Sequence, residues 1–552
     1  MDKKVVHNRA KGSPLLGLIF IVVVLSVFSG PALKSALFAE EPQPDSRRAN
    51  VIIPNIDDDD GDGLPDADAE VLSGTLEDDL LRIVLTPPSA LPNDAMLRVE
   101  VEKPWTSVSR VLLRDPSNDV FRPLKGPAGV GRDEAARKGI TIGVETSDFA
   151  DEGRPPALDL KIRFETKDGR LFSEETVRCT VAPFMMSCGL DPVADVHVIR
   201  TKLTERFVAD LGPLVRATGA GLRAFSDPAV PEHDIWIQDA TEIGYAADGE
   251  HVMSVALHGN RGRKLDDLLA KALLGKDGGV VRKGGDRGRT AEWIDWFGNL
   301  EVSPPVRVGD REYPNGRIYA GTQGVRAMHP DVIRFLEAQG VQAPVLWLDT
   351  SWLVIGHVDE MVSWVPSRVG NSYRMLVPSP RLAIEILAKA EKDAPGGILN
   401  RGTKRDEDAP GENERPVAEA LNDKTLRSVQ EFAQKKIDGV RRALTEGLGV
   451  AEADIIEIPV LFNESADRFA GRCDAWTPNI VNSLLVGNTF IVPDPHGPLV
   501  DGKDVLLEAV KDRLDPIGCR VVAIDDFYPY HRWGGEVHCG TNATRKPPRP
   551  PA

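Results

Sequence analysis

The chain has 552 residues, which at about 150 residues per domain implies roughly two to four domains and ample material for a buried core. Hydrophobic residues make up 41% and charged residues 27%, a globular balance that excludes a largely disordered or fibrous protein. Asp plus Glu outnumber Lys plus Arg by 84 to 67, and the net charge of −17 repels nucleic acid and acidic membrane surfaces while attracting cationic partners. Five cysteines (Cys179, Cys188, Cys473, Cys519, Cys539) are too few for a disulfide scaffold, and their odd number leaves at least one thiol free or paired between chains.

Lys3, Lys4, Arg9 and Lys11 precede an apolar run from Leu15 to Ser29. A basic stretch followed by about fifteen apolar residues is the pattern of an export signal, and it is short of the ~20 residues a full span needs. Small residues near Ala36 and Ala39 offer a cleavage region with an imperfect ending, so a cleaved signal and an uncleaved anchor both stay open. The expectation is an exported chain (secreted, periplasmic or surface-held). Residues 1–39 form its signal or anchor, 40–52 a polar linker, and membrane contact is made through the N-terminal segment alone.

Next comes VIIPNIDDDDGDGLPDADAE, residues 51–70. Alternate oxygen ligands at Asn55, Asp57 and Asp59, or at Asp58, Asp60 and Asp62 before Gly63, have the spacing of a calcium loop, and glycine permits the tight bend. A solvated acidic linker is the plainer alternative. From about Asp79 to Pro183 run six strand-length apolar segments: LLRIVLTP, MLRVEVE, VSRVLLRD, GITIGVET, LDLKIRFET and VRCTVAPF. Their alternation and Gly, Pro and Asp punctuation predict an all-β sandwich of immunoglobulin type over residues 53–183, a support or recognition module.

Beyond Met185 strands interleave with helices. LAIEILAKAEKD and TLRSVQEFAQKKIDGVRRALTEGL carry apolar residues near the 3.6-residue period. Residues 395–415 between them are turn-rich and charged, a surface loop. No period of 20–50 residues stands out, which argues against a solenoid. Four side chains stand out in the polar clusters. Cys539 lies in H-C-G-T-N; His357 and Asp359 are two apart in G-H-V-D-E, a spacing that on a strand faces one side; Asp239 ends W-I-Q-D. A thiol, an imidazole and two carboxylates are what hydrolysis of a guanidinium carbon requires: carboxylates to clamp the planar cation, a thiolate to attack it, a histidine to deliver a proton to ammonia. Each has a plainer role as well. Cys539 is also a small core hydrophobe, His357 a satisfied core histidine, Asp239 a cap, and a Cys/His pair also serves thiol proteases. No C-x-x-C or H-E-x-x-H supports zinc.

The motifs WIQDATEIGY, FGNLEVSPP, GHVDEMVSWVP, NDKTLRSVQEF, LGVAEADIIEIP, PNIVNSLLVG and IDDFYPYHRWGGEVHCGTNATRKP resemble, in order, those of the protein-arginine deiminases, calcium-dependent enzymes that convert peptidyl arginine to citrulline. The resemblance runs from about Val51 to Pro547. It implies a catalytic domain of the pentein type over residues 184–547, an α/β propeller of pseudo-fivefold ββαβ repeats, behind the immunoglobulin-like module and before a short tail at 548–552. The first of the family's usual two N-terminal β domains has no counterpart; the export segment stands in its place. By position, the resemblance implies Cys539 as nucleophile, His357 as general acid/base, and Asp359 and Asp239 as guanidinium clamps. Trp236 matches the residue lining the channel for the arginine stem, and Arg261 the arginine that contacts the substrate backbone. The nucleophile needs an ion pair with His357 or a bound cation to favour thiolate at neutral pH.

The resemblance also implies one Ca²⁺ beside the pocket, held by Gln238, Glu242, Glu301 and the main-chain carbonyls of Phe297 and Leu300. Asn55, Asp57 and Asp59 match part of a further cluster. A second catalytic-domain calcium is not expected, because Ala240, Ala256 and Leu257 replace its oxygen ligands and Asn260 alone matches. A family arginine near the nucleophile is displaced by one position to Arg532, with Trp533 following. The expected partners are arginine-containing peptides or proteins and not nucleic acid, with the chain acting as monomer or homodimer. Rival readings are deimination of a small guanidine such as free arginine or agmatine, amidino transfer to a second amine, and a non-catalytic calcium-binding surface protein.

Overall fold

All six apolar segments expected as strands between Asp79 and Pro183 are strands: Leu81–Leu85, Ala95–Val101, Ser109–Asp115, Ile140–Thr146, Ala157–Thr166 and Leu171–Val181. The computed structural model describes residues 50–547 apart from 70, 75–78, 89–90, 93, 116, 131–138, 285–291, 404–412 and 467–468. The expected signal or anchor (1–39), residues 40–49 of the linker and the tail (548–552) lie outside the described residues. With four shorter strands, the six build two five-stranded sheets. Along Ala157–Thr166 every second residue (Leu158, Leu160, Ile162, Phe164) points inward, as a two-residue period demands, and meets Ile140, Ile142 and Val144 of the other sheet in one core. The module is a β-sandwich.

After Met185 five ββαβ units follow. Each pairs two strands antiparallel, then returns through a helix to a third strand parallel to the second. In chain order the second unit uses Thr241–Ala247, Val252–His258, helix Lys264–Leu273 and Gly278–Arg282. The third uses Leu300–Val302, Ile318–Thr322, helix Pro330–Ala338 and Leu346–Asp349. The fourth uses Ser363–Pro366, Tyr373–Ser379 and Ile455–Pro459, with helices Pro380–Asp393 and Lys424–Leu448 inserted in its crossover. The fifth uses Leu484–Val486, Thr489–Pro493, helix Val505–Leu514 and Arg520–Ile524. The first unit closes the ring: Val193–Ile199, helix Glu205–Arg216 and Gly221–Phe225 receive their antiparallel partner, Thr541–Arg545, from the C-terminus. This is the repeated ββαβ pattern the sequence resemblance implies.

Local chemistry fixes the elements. Asp423 caps the helix Lys424–Leu448 by accepting from the N–H groups of Thr425 and Leu426, and Gly449 ends it in the left-handed region (φ 67°). Val429, Ala433, Ile437, Val440, Leu444 and Leu448 fall on one face and are buried in the largest core cluster, while Leu426 joins a smaller one. The sandwich and the five units fall within one compact unit. No helix among the described residues is long and apolar enough to cross a membrane. All five cysteines are buried and free, so the open pairing of Cys179, Cys188, Cys473 and Cys519 resolves to none.

Candidate active site

The polar residues singled out in the sequence lie just ahead of the first strand of their units. Asp239 precedes Thr241–Ala247, His357 and Asp359 precede Ser363–Pro366, and Cys539 precedes Thr541–Arg545. The same segment of the third unit supplies Gly298, and that of the fifth supplies Asn482. These five segments meet. Cys539 Sγ donates to Asp359 Oδ2 at 3.3 Å, His357 Nδ1 lies 3.6 Å from Asp239 Oδ1, and the Gly298 N–H donates to Asp239 Oδ1 at 3.3 Å. Asn482 Nδ2 donates to Cys539 Sγ, also at 3.3 Å. All four expected catalytic residues are buried.

One expectation is corrected. His357 and Asp359 do not sit on a strand: Val358–Glu360 is a turn of 3₁₀ helix with His357 at its start. The cause is Glu360, whose Oε1 accepts from the N–H groups of Gly356 and His357 at 3.0 and 2.9 Å and curls the chain back. The imidazole is fixed as well. His357 Nε2–H donates to the Trp293 carbonyl at 2.8 Å, and because a carbonyl only accepts, the proton sits on Nε2 and Nδ1 faces the site. Gly298 makes room for this. A Cβ there would lie 2.6 Å from His357 Nδ1, 2.9 Å from Asp239 Oδ1 and 3.0 Å from Asp359 Oδ2.

The two carboxylates are tuned apart. Burial pushes Asp359 up, but the hydrogen bond and charge of His538, the charge of His357 and the Cys539 hydrogen bond outweigh it and hold the carboxyl below its usual range. Burial wins at Asp239 and raises it, against the charges of His357 and Arg261. Burial, then the Asp359 and Asp239 carboxylates, push the Cys539 thiol well above its ordinary value. The thiol's hydrogen bonds go to Asp359 and Asn482 rather than to the expected partner His357.

Trp236 packs against Gly535 beside Cys539: a Cβ on Gly535 would lie 2.4 Å from the indole and 3.1 Å from Cys539 Cβ. A cavity of about 290 Å³ opens next to it, lined by Trp293, Ile355, Asn482, Trp533 and Gly535, with the displaced Arg532 also on its wall. Arg261 is not on this surface. Its side chain is fully buried, with Nη2 2.7 Å from Asp266 Oδ1 and 3.5 Å from Asp234 Oδ1, and its guanidinium 5.4 Å from the Trp296 ring.

The expected metal ligands fall in two places. Gln238, Glu242 and Glu301 line a cavity of about 50 Å³, joined by His538 and Arg545. Burial raises Glu242 well above its usual range, with Glu301 adding to it, and pushes Glu301 to about 7. Two carboxyls with raised protonation, one buried and one partly buried, around a small cavity fit a hard cation such as Ca²⁺. The side chains of Phe297 and Leu300 enter the core, so a contribution from them comes from the main chain. Ala240, Ala256 and Leu257 are buried and carry no side-chain oxygen, so a second cation does not fit there. In the acidic loop Asn55 and Asp57 are each 1% exposed. Burial, then the charge of Asp59, push Asp57 to about 7, with Asp66 adding to the rise. Yet the three carboxylates that converge are Asp58, Asp60 and Asp66, one oxygen from each within 4.8 Å of the others. The loop folds Asp66 back to accept from the Asp59 N–H at 2.6 Å, whereas Asp62 stays exposed.

Asn482, Gly298, His538 and Glu360 have no assigned role in the sequence reading. All four lie inside its motifs, beside residues that do, but their work is visible only across segments.

The family model for protein-arginine deiminase (PAD) matches residues 171–549. The chain is 37% identical over 384 residues to protein-arginine deiminase type-4 of Mus musculus, covering 68% of this chain and 56% of that one. It is 37% identical to the type-3 enzyme of Homo sapiens (73% and 61% covered) and 33% identical to type-1 of Mus musculus (83% and 68%). The chain thus spans little more than half the length of the first of these relatives. A solved C. jejuni agmatine deiminase overlaps 66% of this chain and 96% of its own at a TM-score of 0.37 and 12% identity, too faint a likeness to argue from. With the family model spanning most of the chain and relatives this similar, the chain belongs to the protein-arginine deiminase family.

Proposed function

We propose that the chain hydrolyses the guanidinium group of arginine in peptides or proteins, releasing ammonia and leaving citrulline. The observation that carries this is the meeting of Cys539, Asp239 and the Asp359–His357 pair, from three different units, at one buried point. Asp359, held ionised, and Asp239 clamp the guanidinium through charge-assisted hydrogen bonds, and the Trp236 indole walls the apolar stem. Cys539 gives up its proton, which passes to His357 Nδ1, and its sulfur bonds to the guanidinium carbon as the C=N π pair moves onto nitrogen. The tetrahedral adduct collapses with a C–N bond breaking; His357 delivers a proton to the departing nitrogen, and a thiouronium remains on the sulfur. Water, deprotonated by His357 Nδ1, then adds to that carbon, and the C–S bond breaks to give citrulline and thiol.

Gln238, Glu242, Glu301 and the main chain of Phe297 and Leu300 would hold Ca²⁺, and the 55–66 loop would hold more. Bound there, calcium would neutralise buried carboxylates behind the site and in the loop. In this reading the β-sandwich is immunoglobulin-like, with domains at 53–183 and 184–547, and the basic-apolar N-terminus exports the chain to where calcium is plentiful.

A second reading, hydrolysis of a small guanidine such as free arginine or agmatine, is favoured by one observation: Arg261 is tied to Asp266 and is not presented to a peptide. The test is release of ammonia and formation of the ureido product from a blocked arginine amide, from free arginine and from agmatine, using wild type and C539A in calcium and in chelator. Turnover of the blocked amide that needs both Cys539 and calcium is expected. Turnover of the free compounds alone would transfer the assignment to the small-guanidine reading, and Cys539-dependent turnover in chelator would remove calcium control.

A further inference from the structure

The five segments ahead of the units' first strands are equivalent by position. Four of them hold the clamp, the base, the glycine that lets these approach, and the nucleophile. The fifth holds Asn482, which the chemistry above does not use. Asn482 is 1% exposed, and its amide grips Cys539 at two points. Its Oδ1 accepts from the Cys539 main-chain N–H at 3.3 Å, and its Nδ2 donates to Sγ at 3.3 Å. The two ends of an amide are not interchangeable here. A main-chain N–H only donates, so it selects the oxygen and thereby aims the NH₂ group at the sulfur.

On the sulfur this amide stands beside a main-chain donor from Glu536, and it is the side chain that donates. The other side chain bonded to Sγ is Asp359, an acceptor, and Asp239 adds a second carboxylate to the same pocket. As the S–H proton leaves and the sulfur gains charge, Asp359 turns from partner to repeller, whereas an N–H donor is held more strongly by a charged sulfur. The main chain of Asn482 is anchored apart from its side chain: its N–H donates to the Asn479 carbonyl at 2.9 Å, and its carbonyl accepts from the His538 N–H at 3.3 Å. The side chain is therefore free to have a task other than holding the segment.

We propose that Asn482 is a further catalytic residue, which orients the Cys539 sulfur and donates a hydrogen bond to it throughout attack on the guanidinium carbon. This rests on the deiminase reading above. Asn482 acts on both halves of the reaction, because the sulfur is the nucleophile in the first and the leaving group in the second.

The test compares the full-length wild type with N482A and N482D. The measurements are kcat and KM for citrulline formation, the rate of Cys539 alkylation by iodoacetamide across pH, and the thermal midpoint. N482D keeps the oxygen that holds the main-chain N–H and loses the donor to sulfur; N482A loses both. The expected result is a fall in kcat of about 100-fold in both variants, the range seen when one donor to a developing anion is removed, with KM within about threefold. Alkylation near neutral pH should slow in parallel. Near wild-type kcat and alkylation in N482D, with loss confined to N482A, would overturn the proposal in favour of a main-chain anchor, and so would unfolding of both variants. If wild type forms no citrulline yet alkylation still slows in N482D, the deiminase reading fails while the hold of Asn482 on the sulfur stands.

Discussion

Among the described residues, two clusters of buried carboxylates, the one around Cys539 and the one in the acidic loop, are balanced in opposite ways. Around Cys539 the chain supplies its own cations: His538 Nδ1 lies 3.1 Å from Asp359 Oδ2, His357 Nδ1 lies 3.6 Å from Asp239, and Arg261 adds its charge to Asp239. Asp359 is accordingly held below its usual range. In the loop from Asn55 to Asp66 the neighbours of each carboxylate are mostly other carboxylates, and Asp57 and Asp66 rise to about 7 and about 6, in each case with burial as the leading cause. A cluster that carries its cations is organised before any ligand arrives. A cluster that does not is strained by its own charge and asks for a cation from outside.

The largest effect should come from breaking the balanced cluster. Asp359→Asn removes the charge that His538, His357 and Cys539 all face. Loss of one member of a buried pair costs about 3–5 kcal/mol, so citrulline formation should fall by about two to four orders of magnitude in kcat/KM. Geometry matters there as much as charge. Gly298→Ala drives a Cβ to within 3.0 Å of His357, Asp239 and Asp359, and it should cut kcat by about 100-fold, with thermal melting showing the fold retained.

The loop should answer in the opposite sense. Asp57→Asn removes repulsion, so in chelator it should raise the unfolding free energy by a few kcal/mol, read from denaturant melts, while the stabilisation gained on adding calcium shrinks. The pH dependence follows from the direction of the shift. A carboxyl raised from 3.8 to about 7 binds more protons folded than unfolded across that window, so its contribution to stability is lost as pH rises from about 4 to about 7. The advantage of D57N over wild type in chelator should grow through that window and then level. An advantage that shrinks with rising pH would refute the charge argument. The smallest effect belongs to Lys276, a largely exposed lysine 3.6 Å from the buried Asp59. Lys276→Ala should lower stability in chelator by less than about 1 kcal/mol.

Much of this was legible before any fold was in hand. The helix over Lys424–Leu448 announced itself through its apolar spacing, and the sandwich strands through alternation. The 3₁₀ turn at Val358–Glu360 did not, because its cause is a carboxylate reaching back to two main-chain donors, which no periodicity records. The fivefold repeat, implied by the resemblance, was equally silent as a period. Its units keep a topology and not a spacing: the fourth carries an additional 25-residue helix, and the first is completed by the last strand of the chain.

By itself, then, the sequence determined the chemistry at hand: a thiol, an imidazole and two carboxylates in long motifs, acidic residues at alternate positions, and the strands and helices that carry them. Those are properties of residue type and near-neighbour spacing, which a linear string preserves. The tertiary structure alone decided that the five leading segments meet, that Asn482 faces the sulfur, that Arg261 turns inward to Asp266, and that Asp66 rather than Asp62 joins Asp58 and Asp60. Each of these depends on contacts between groups far apart in the chain or on a loop folding back on itself, where burial and charge from distant segments set both position and protonation.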